Sequence, residues 1–333
     1  MKKGILFILV TVIVLTESLL PLTIKIGSIA PAKSPWDKAL RELGREWKFI
    51  SKGMINVKIY PGGIAGSEED MIRKMEIGIL GGAVLANAGI SKIYSDFYVL
   101  STPFIFNSEK EFLYVTEKMN PLFAAGIKEK GYKVIIWSMA GWLNFFSKNK
   151  IGYPEDLKKH KLSFVTGEPE FEQVWKKSGF HVIPNNMNDL MMGLQSGMVN
   201  AFFLPPLVVA SGQYFPLAPN MFEMRIAPLY GGIVLSNKIW KKIPVKFKDK
   251  LINSANTIAV DLYEKTKTLE LKAIETMKKN GLKINPIPKD SIKKWRAASK
   301  KGINSLINKI FSQAIFDKVI GHLKEYRKSY ESK

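Results

Sequence analysis

No cysteine occurs among the 333 residues. That excludes disulfides, zinc ribbons, thiol redox pairs and a cysteine nucleophile, and with them a lipoprotein-type lipid anchor. Histidine is almost as scarce. His160, His181 and His322 stand far apart, none within metal-ligand spacing of another. The G-x-S-x-G elbow of serine hydrolases is absent. The glycine-rich turn GGIAG (62–66) lacks the G-K-[ST] ending of a phosphate loop, and Glu68, Glu69 and Asp70 stand where an anion would dock. No constellation suits acid–base, nucleophilic or metal-assisted catalysis, so the expectation is a non-enzyme without metal or cofactor. Arginine is also rare. Of the 50 basic residues, the arginines are Arg41, Arg45, Arg73, Arg225, Arg296 and Arg327. Readers of phosphates and bases favour the planar arginine fork. The net charge of +21 is a lysine excess at helical spacings, which reads as a solvated surface rather than a nucleic-acid footprint. A weak attraction to anionic lipid headgroups is compatible with it.

What is present is an exported-looking, two-domain α/β chain. Residues 1–22 read as an export signal: Lys2 and Lys3 lead into an apolar run, Gly4 to Leu15, that is short for a membrane span and is followed by Glu17. No A-x-A cleavage site precedes Thr23, so an uncleaved N-terminal anchor is the alternative. Either way the remainder is expected outside the cytoplasm, in the periplasm. TIKIGSIAP (23–31) alternates like a strand. Ser34-Pro35 opens a helix to Ser51, INVKIYP (55–61) is a second strand and GGAVLANA (81–88) a third. STPFIF (101–106) reads as an extended apolar segment. Ser108 caps a helix to about Lys130, which Pro121 is expected to bend or break. YKVIIWSM (132–139) is a strand and AGWLNFFS (140–147) another. YGGIVLSN (230–237) is a strand after irregular chain. A helix from Lys246 to about Asn280 is long enough to brace two domains.

The stretch from Lys161 to Pro206 organises the rest. LSFV, FHVIP and AFFL are apolar strands separated by helices over Pro169–Lys177 and after Asn188. Such alternation implies a parallel sheet, whose ligands sit at the carboxyl ends of the strands. Those ends here are Phe164, Phe202, Phe203 and Leu204, which are apolar and uncharged.

Order and spacing of several segments give the chain a family likeness. SKGMINVKIYP with its glycine-rich turn, GGAVLA, STPFIF, YPEDLKKHKLSF, LMMGLQSGMVNAFFLPP and NKIWKKIP follow one another from Thr23 to about Leu323. In this the chain resembles the solute-binding subunits of TRAP transporters, the DctP-like extracytoplasmic binding proteins. The resemblance implies a periplasmic-binding-protein-like fold of two α/β lobes with crossing connections, closing by a hinge. Lobe I would comprise 23–140 and 230–270, lobe II 141–229 and 271–325. It implies TRAP membrane subunits as partners, and one branch of the family adds a tetratricopeptide-repeat protein. A sensor or interaction protein reusing the same fold is the alternative function.

The likeness also marks where this chain departs. Where carboxylate binders of the family carry an arginine after the P-E-D-L helix, this chain has Phe164. A second family arginine corresponds to Leu143. The family's Q-E-N-P is here FFLP, giving Phe202, Phe203 and Leu204, and a polar site at the end of the third strand falls on Ala86. A carboxylate brought into a dry cleft without a cation loses several kcal/mol of hydration. The expected ligand is therefore a small apolar molecule such as a fatty-acid tail, lined by Phe164, Leu143, Phe202, Phe203, Leu204 and Ala86, with Trp142 and Trp137 as further candidates. Adjacent Phe202 and Phe203 must face opposite ways if their strand is regular.

Overall fold

The computed structural model describes residues 21–165 and 169–330. The expected signal or anchor, residues 1–22, lies almost wholly outside the described part. In the first half, β1 (Leu22–Ser28), β2 (Ile55–Tyr60) and β3 (Gly82–Leu85) run parallel. They are joined by α1 (Pro35–Ile50) and α2 (Glu68–Glu76). Both helices start as their sequences dictate: the Ser34 and Ser67 hydroxyls accept from the backbone N–H of Asp37 and Asp70, and the latter forms a reciprocal capping box. The short α3 (Asn87–Ile93) and a 3-10 segment (Ser95–Ser101) follow, and then α4 (Glu109–Glu129). The last of these contains Pro121 without a break. Proline deletes one hydrogen bond, but Pro121 faces solvent while Phe112, Val115, Met119, Phe123 and Ile127 seat the opposite side of the helix in the core.

Two long strands carry the chain between lobes: β4 (Tyr132–Ser147) and β8 (Asn220–Ser236), paired antiparallel along their length. The expected separate strands 132–139 and 140–147 are one strand, whose register with β8 shifts around Met139–Asn144. Gly141, with φ of 127°, lies within this irregular stretch, in a backbone region that other residues rarely adopt. The strand expected from Tyr230 begins ten residues earlier, at Asn220. Its period-two signal was present: Phe222, Met224 and Ile226 are buried, and Glu223 and Arg225 between them are exposed.

The second half holds α5 (Pro154–Lys158), β5 (Lys161–Val165), α6 (Pro169–Lys177), β6 (His181–Asn185), α7 (Leu190–Gln195), β7 (Ala201–Leu204) and α8 (Pro206–Ser211). As expected, β5 pairs in parallel with both β6 and β7. The sheet order is β2-β1-β3-β8-β4-β7-β5-β6, with β9 (Lys283–Asn285) on β8. After α9 (Asn237–Lys242), the helix α10 (Val245–Lys279) braces both lobes. Its Leu251, Ala255 and Ile258 pack with the core under β1 and α1, and Met277 near its end joins the core of α7 and α8. On the other face of the sheet one core runs through both lobes, from Met71 and Phe97 to Phe164 and Trp175. Of the last two helices, α11 (Ser291–Leu306) packs on α5 and α6, whereas α12 (Gln313–Tyr330) packs on α4.

Candidate functional site

The candidate residues fall into three places. On β7, Phe203 turns toward the core shared by both lobes. Its ring meets those of Phe145, Phe164 and Trp175 at 6.1, 5.8 and 6.0 Å. Leu143 is half-buried against the same core. Phe202, one residue before Phe203, faces away: it stacks on Phe146 at 5.5 Å and packs with Leu190 and Val209, and Leu204 joins that side. Strand alternation thus splits the FFL run, and Phe164, Phe203 and Leu143 are the members held together.

A second group forms around β8. The ring of Trp137 stacks on Phe97 and Tyr230 at 5.3 and 5.8 Å. Phe112 sets its edge against both Tyr230 and Trp142, at 5.0 and 6.0 Å. The Tyr230 hydroxyl accepts from Asn120 Nδ2 at 2.9 Å. Ala86 lies at the start of α3, and its N–H donates to Glu68 Oε1. Backbones approach closely here: a Cβ on Gly231 would lie 2.0 Å from the Leu85 carbonyl oxygen, and one on Gly232 would lie 2.2 Å from that of Ile136. The Gly-Gly step of β8 therefore lets the end of β3 and the Trp137 region of β4 close on the same strand.

A third group, which the sequence reading missed, lies where β4 changes register. Asn144 is buried and its Nδ2 donates to the carbonyls of Phe222, Glu223 and Met224 at 3.1–3.2 Å, pinning β8 at the crossing. Arg225 lies over the Trp142 ring, 5.2 Å from its centroid, and its charge acts on Glu270 of α10. A Cβ on Gly141 would stand 2.8 Å from Glu270 Oε2 and 3.1 Å from Pro205 Cβ. Burial pushes the Glu270 carboxyl up to about 7, against the lowering by Arg225 and with a further rise from Glu109. No sequence spacing links residues 141, 225 and 270, so only their meeting in the fold reveals them.

Most of the arginines are engaged by neighbours of their own. Arg225 alternates along β8 with the buried Phe222, Met224 and Ile226, and its guanidinium lies over Trp142 of the same core. Arg41 pairs with Asp37, Arg73 with Glu69 and Asp70, and Arg327 with the fully buried Glu111 at 2.7 Å. Arg296 donates to the Phe104 carbonyl and to Asn107. Aromatic side chains fill the interior that both lobes share. A cavity among Phe104, Trp175, Phe180 and Trp295 has about 10 Å³, room for about one water. A wider one of about 210 Å³ lies between Gln173 and Lys177 of α6 and Ser305 and Lys309 at the end of α11. None of the eight candidate residues lines either.

The chain matches the family model DctP, bacterial extracellular solute-binding protein family 7, over residues 26–310. It belongs to that family. A DctP-family likeness extends to a solute-binding protein of Roseobacter denitrificans, 20% identical over 302 residues, 88% of this chain and 91% of that protein. Among solved structures, a TRAP periplasmic solute-binding protein from Xanthobacter autotrophicus with bound β-D-galacturonate superposes with a TM-score of 0.82, at 17% identity over 90% of this chain and 99% of that one. The sugar-acid-binding protein of Advenella mimigardefordensis, in complex with galactonate, gives 0.83 at 19% identity over 92% and 99%. A TRAP solute-binding protein of Desulfovibrio salexigens with bound orotic acid gives 0.81 at 16% over 92% and 99%. The solved structures share the two-lobed fold, and the family is one of extracellular solute-binding proteins. Among the described residues, no helix is long and apolar enough to cross a membrane.

Proposed function

We propose that this TRAP solute-binding protein captures a solute with an apolar body in the periplasm and presents it to the TRAP membrane subunits. The single observation that carries the reading is the cluster of Phe164, Phe203, Phe145 and Trp175, at the end of β5 where the family resemblance implies an arginine. Burying about 400 Å² of apolar ligand surface there gives about 10 kcal/mol at 25 cal/mol per Å². Association costs begin near 4 kcal/mol, which leaves about 6 kcal/mol, a Kd of roughly tens of micromolar. Entry requires the hinge at Gly141 to open, because the aromatic side chains now fill the space between the lobes. A tetratricopeptide-repeat partner belongs to this reading and depends on the same ligand.

Arg225 favours a second reading. Were it to turn from Trp142 to a ligand carboxylate, the protein would take an acid as its solved relatives do. Thermal denaturation with medium-chain fatty acids, their uncharged alcohols and hexuronates separates the two. The proposal expects a rise in Tm with the alcohols that survives Arg225→Met. A rise with hexuronates alone, abolished by Arg225→Met, would replace it with the second.

A further inference from the structure

Every connection that feeds a strand start of the first lobe meets at one end of the molecule. The described chain begins there at Pro21 and β1, and the Leu22 N–H donates to the Met54 carbonyl just before β2. The end of α2 is tied there as well: the Gly81 N–H donates to the Lys25 carbonyl, and a Cβ on Gly81 would meet Ile239 of α9 at 3.3 Å. Asn237 donates to the Gly131 carbonyl, which brings α9 beside the end of α4. This end is opposite to the carboxyl ends of β1, β2 and β3, which face the ligand site.

Two features are concentrated on it. Phe49 and Val245 are each 81% exposed, Ile77 is 72% and Ile79 53% exposed. Around them stand the exposed Lys48 and Lys52, Lys128 and Lys130, and Lys241, Lys242 and Lys246. They outnumber the exposed acids of the same end, Glu46, Glu76, Glu129 and Asp249. Half-buried Trp240 sits between Lys248 and Lys133, at 5.3 and 5.9 Å from their ammonium groups. Helix dipoles explain lysines at the ends of α1 and α4, where cations are favourable. They do not explain Lys246 and Lys248 in the first turn of α10, which has no acid and where cations oppose the dipole. Nor does folding call for exposed Phe49 and Val245, since burying neither stabilises the core. Lysines around a tryptophan and protruding apolar side chains suit the boundary of a bilayer, whose headgroups take the charge and whose acyl border takes the apolar side chains. The sequence on the far side of Pro21 has the same character, Lys2 and Lys3 followed by an apolar run, and it joins the molecule at this end.

We propose that the base of the first lobe, formed by the ends of α1, α2 and α4 with the α9–α10 corner, docks on an anionic lipid bilayer. Docked so, the protein stands with its ligand site away from the lipid, free to load from the periplasm, and it leaves the surface to engage the transporter. The proposal is independent of which solute is bound.

The absence of cysteine allows a clean test in the full chain. An environment-sensitive thiol dye is placed at Val245→Cys, and in a second protein at Met192→Cys, an exposed position of the other lobe. Both are mixed with phosphatidylglycerol/phosphatidylethanolamine vesicles and with phosphatidylcholine vesicles. The dye at position 245 should shift to the blue on the anionic vesicles alone, and the shift should disappear at about 0.5 M salt. In the background Lys241→Glu, Lys242→Glu, Lys246→Glu the shifted fraction should fall at least about fivefold, with an unchanged Tm showing that the variant folds. Equal shifts at both positions, or a dye at 245 that stays in water, would overturn the proposal. So would a shift seen only when the vesicles carry the TRAP membrane subunits, which would make the base a protein interface instead.

Discussion

Glu270 is the side chain whose chemistry most depends on where folding puts it. Its carboxyl titrates near 7 in the folded protein against a usual 4.5, so the folded state keeps a proton that the unfolded chain releases. Stability contributed by this group is full below about pH 4.5 and is lost as pH rises through 7. Glu270→Gln removes that loss: the variant should gain up to about 3 kcal/mol over the parent at pH 8 and nothing at pH 4. Urea unfolding of both proteins across that range reads the difference, and parallel profiles would contradict it. The Arg327–Glu111 pair matters through its buried charge. Glu111 is fully buried and also accepts from the Asn107 N–H, so Arg327→Ala leaves a charge in the core and should cost about 3–5 kcal/mol. Denaturant midpoints check this, and a cost below about 1 kcal/mol would show that water reaches Glu111.

At the scale of elements, the β4–β8 ribbon decides the architecture. It is one sheet that serves two lobes, and its middle is loosened where the register shifts beside Gly141 and pinned where Asn144 spans three carbonyls of β8. Asn144→Ala leaves those carbonyls without the amide and should destabilise by about 1–3 kcal/mol. Gly231→Ala should be worse, at about 3 kcal/mol or more, because the Leu85 carbonyl oxygen stands 2.0 Å from the new carbon. Circular dichroism melts of the two variants rank them, and a Gly231→Ala protein as stable as the parent would mean that β3 can move off β8. Pro121 shows the limit of local rules. Taken alone it should break α4, yet its solvent-facing position leaves the helix seated through five apolar side chains.

At the scale of the molecule, the lobes meet through aromatic rings. Trp295 of α11 is fully buried between Phe104 of the first lobe and Phe145, Phe180 and Phe222 of the second, and its indole N–H donates to the Gly152 carbonyl at 3.1 Å. Trp295→Ala should cost about 3–5 kcal/mol and shift the population toward open lobes. Small-angle scattering would then show a larger radius of gyration than that of the parent. An unchanged radius would place the closure elsewhere, on α10 and the ribbon.

Much of this was legible in the residues themselves. Seryl caps, glycine stops and apolar periodicity located most helices and the β5–α6–β6 and β7 units, because those signals are local. Segment order marked the family. Tertiary structure decided what depends on pairing. It merged residues 132–147 into one strand, started β8 at Asn220, and turned Phe202 and Leu204 away from Phe203 by the two-residue pleat. It also brought Gly141, Arg225 and Glu270 together beside α10, and Phe49, Ile77 and Val245 to one end. Chain-local energies specify an element, but which distant side chains share a dielectric environment is fixed only when the sheet closes around its register.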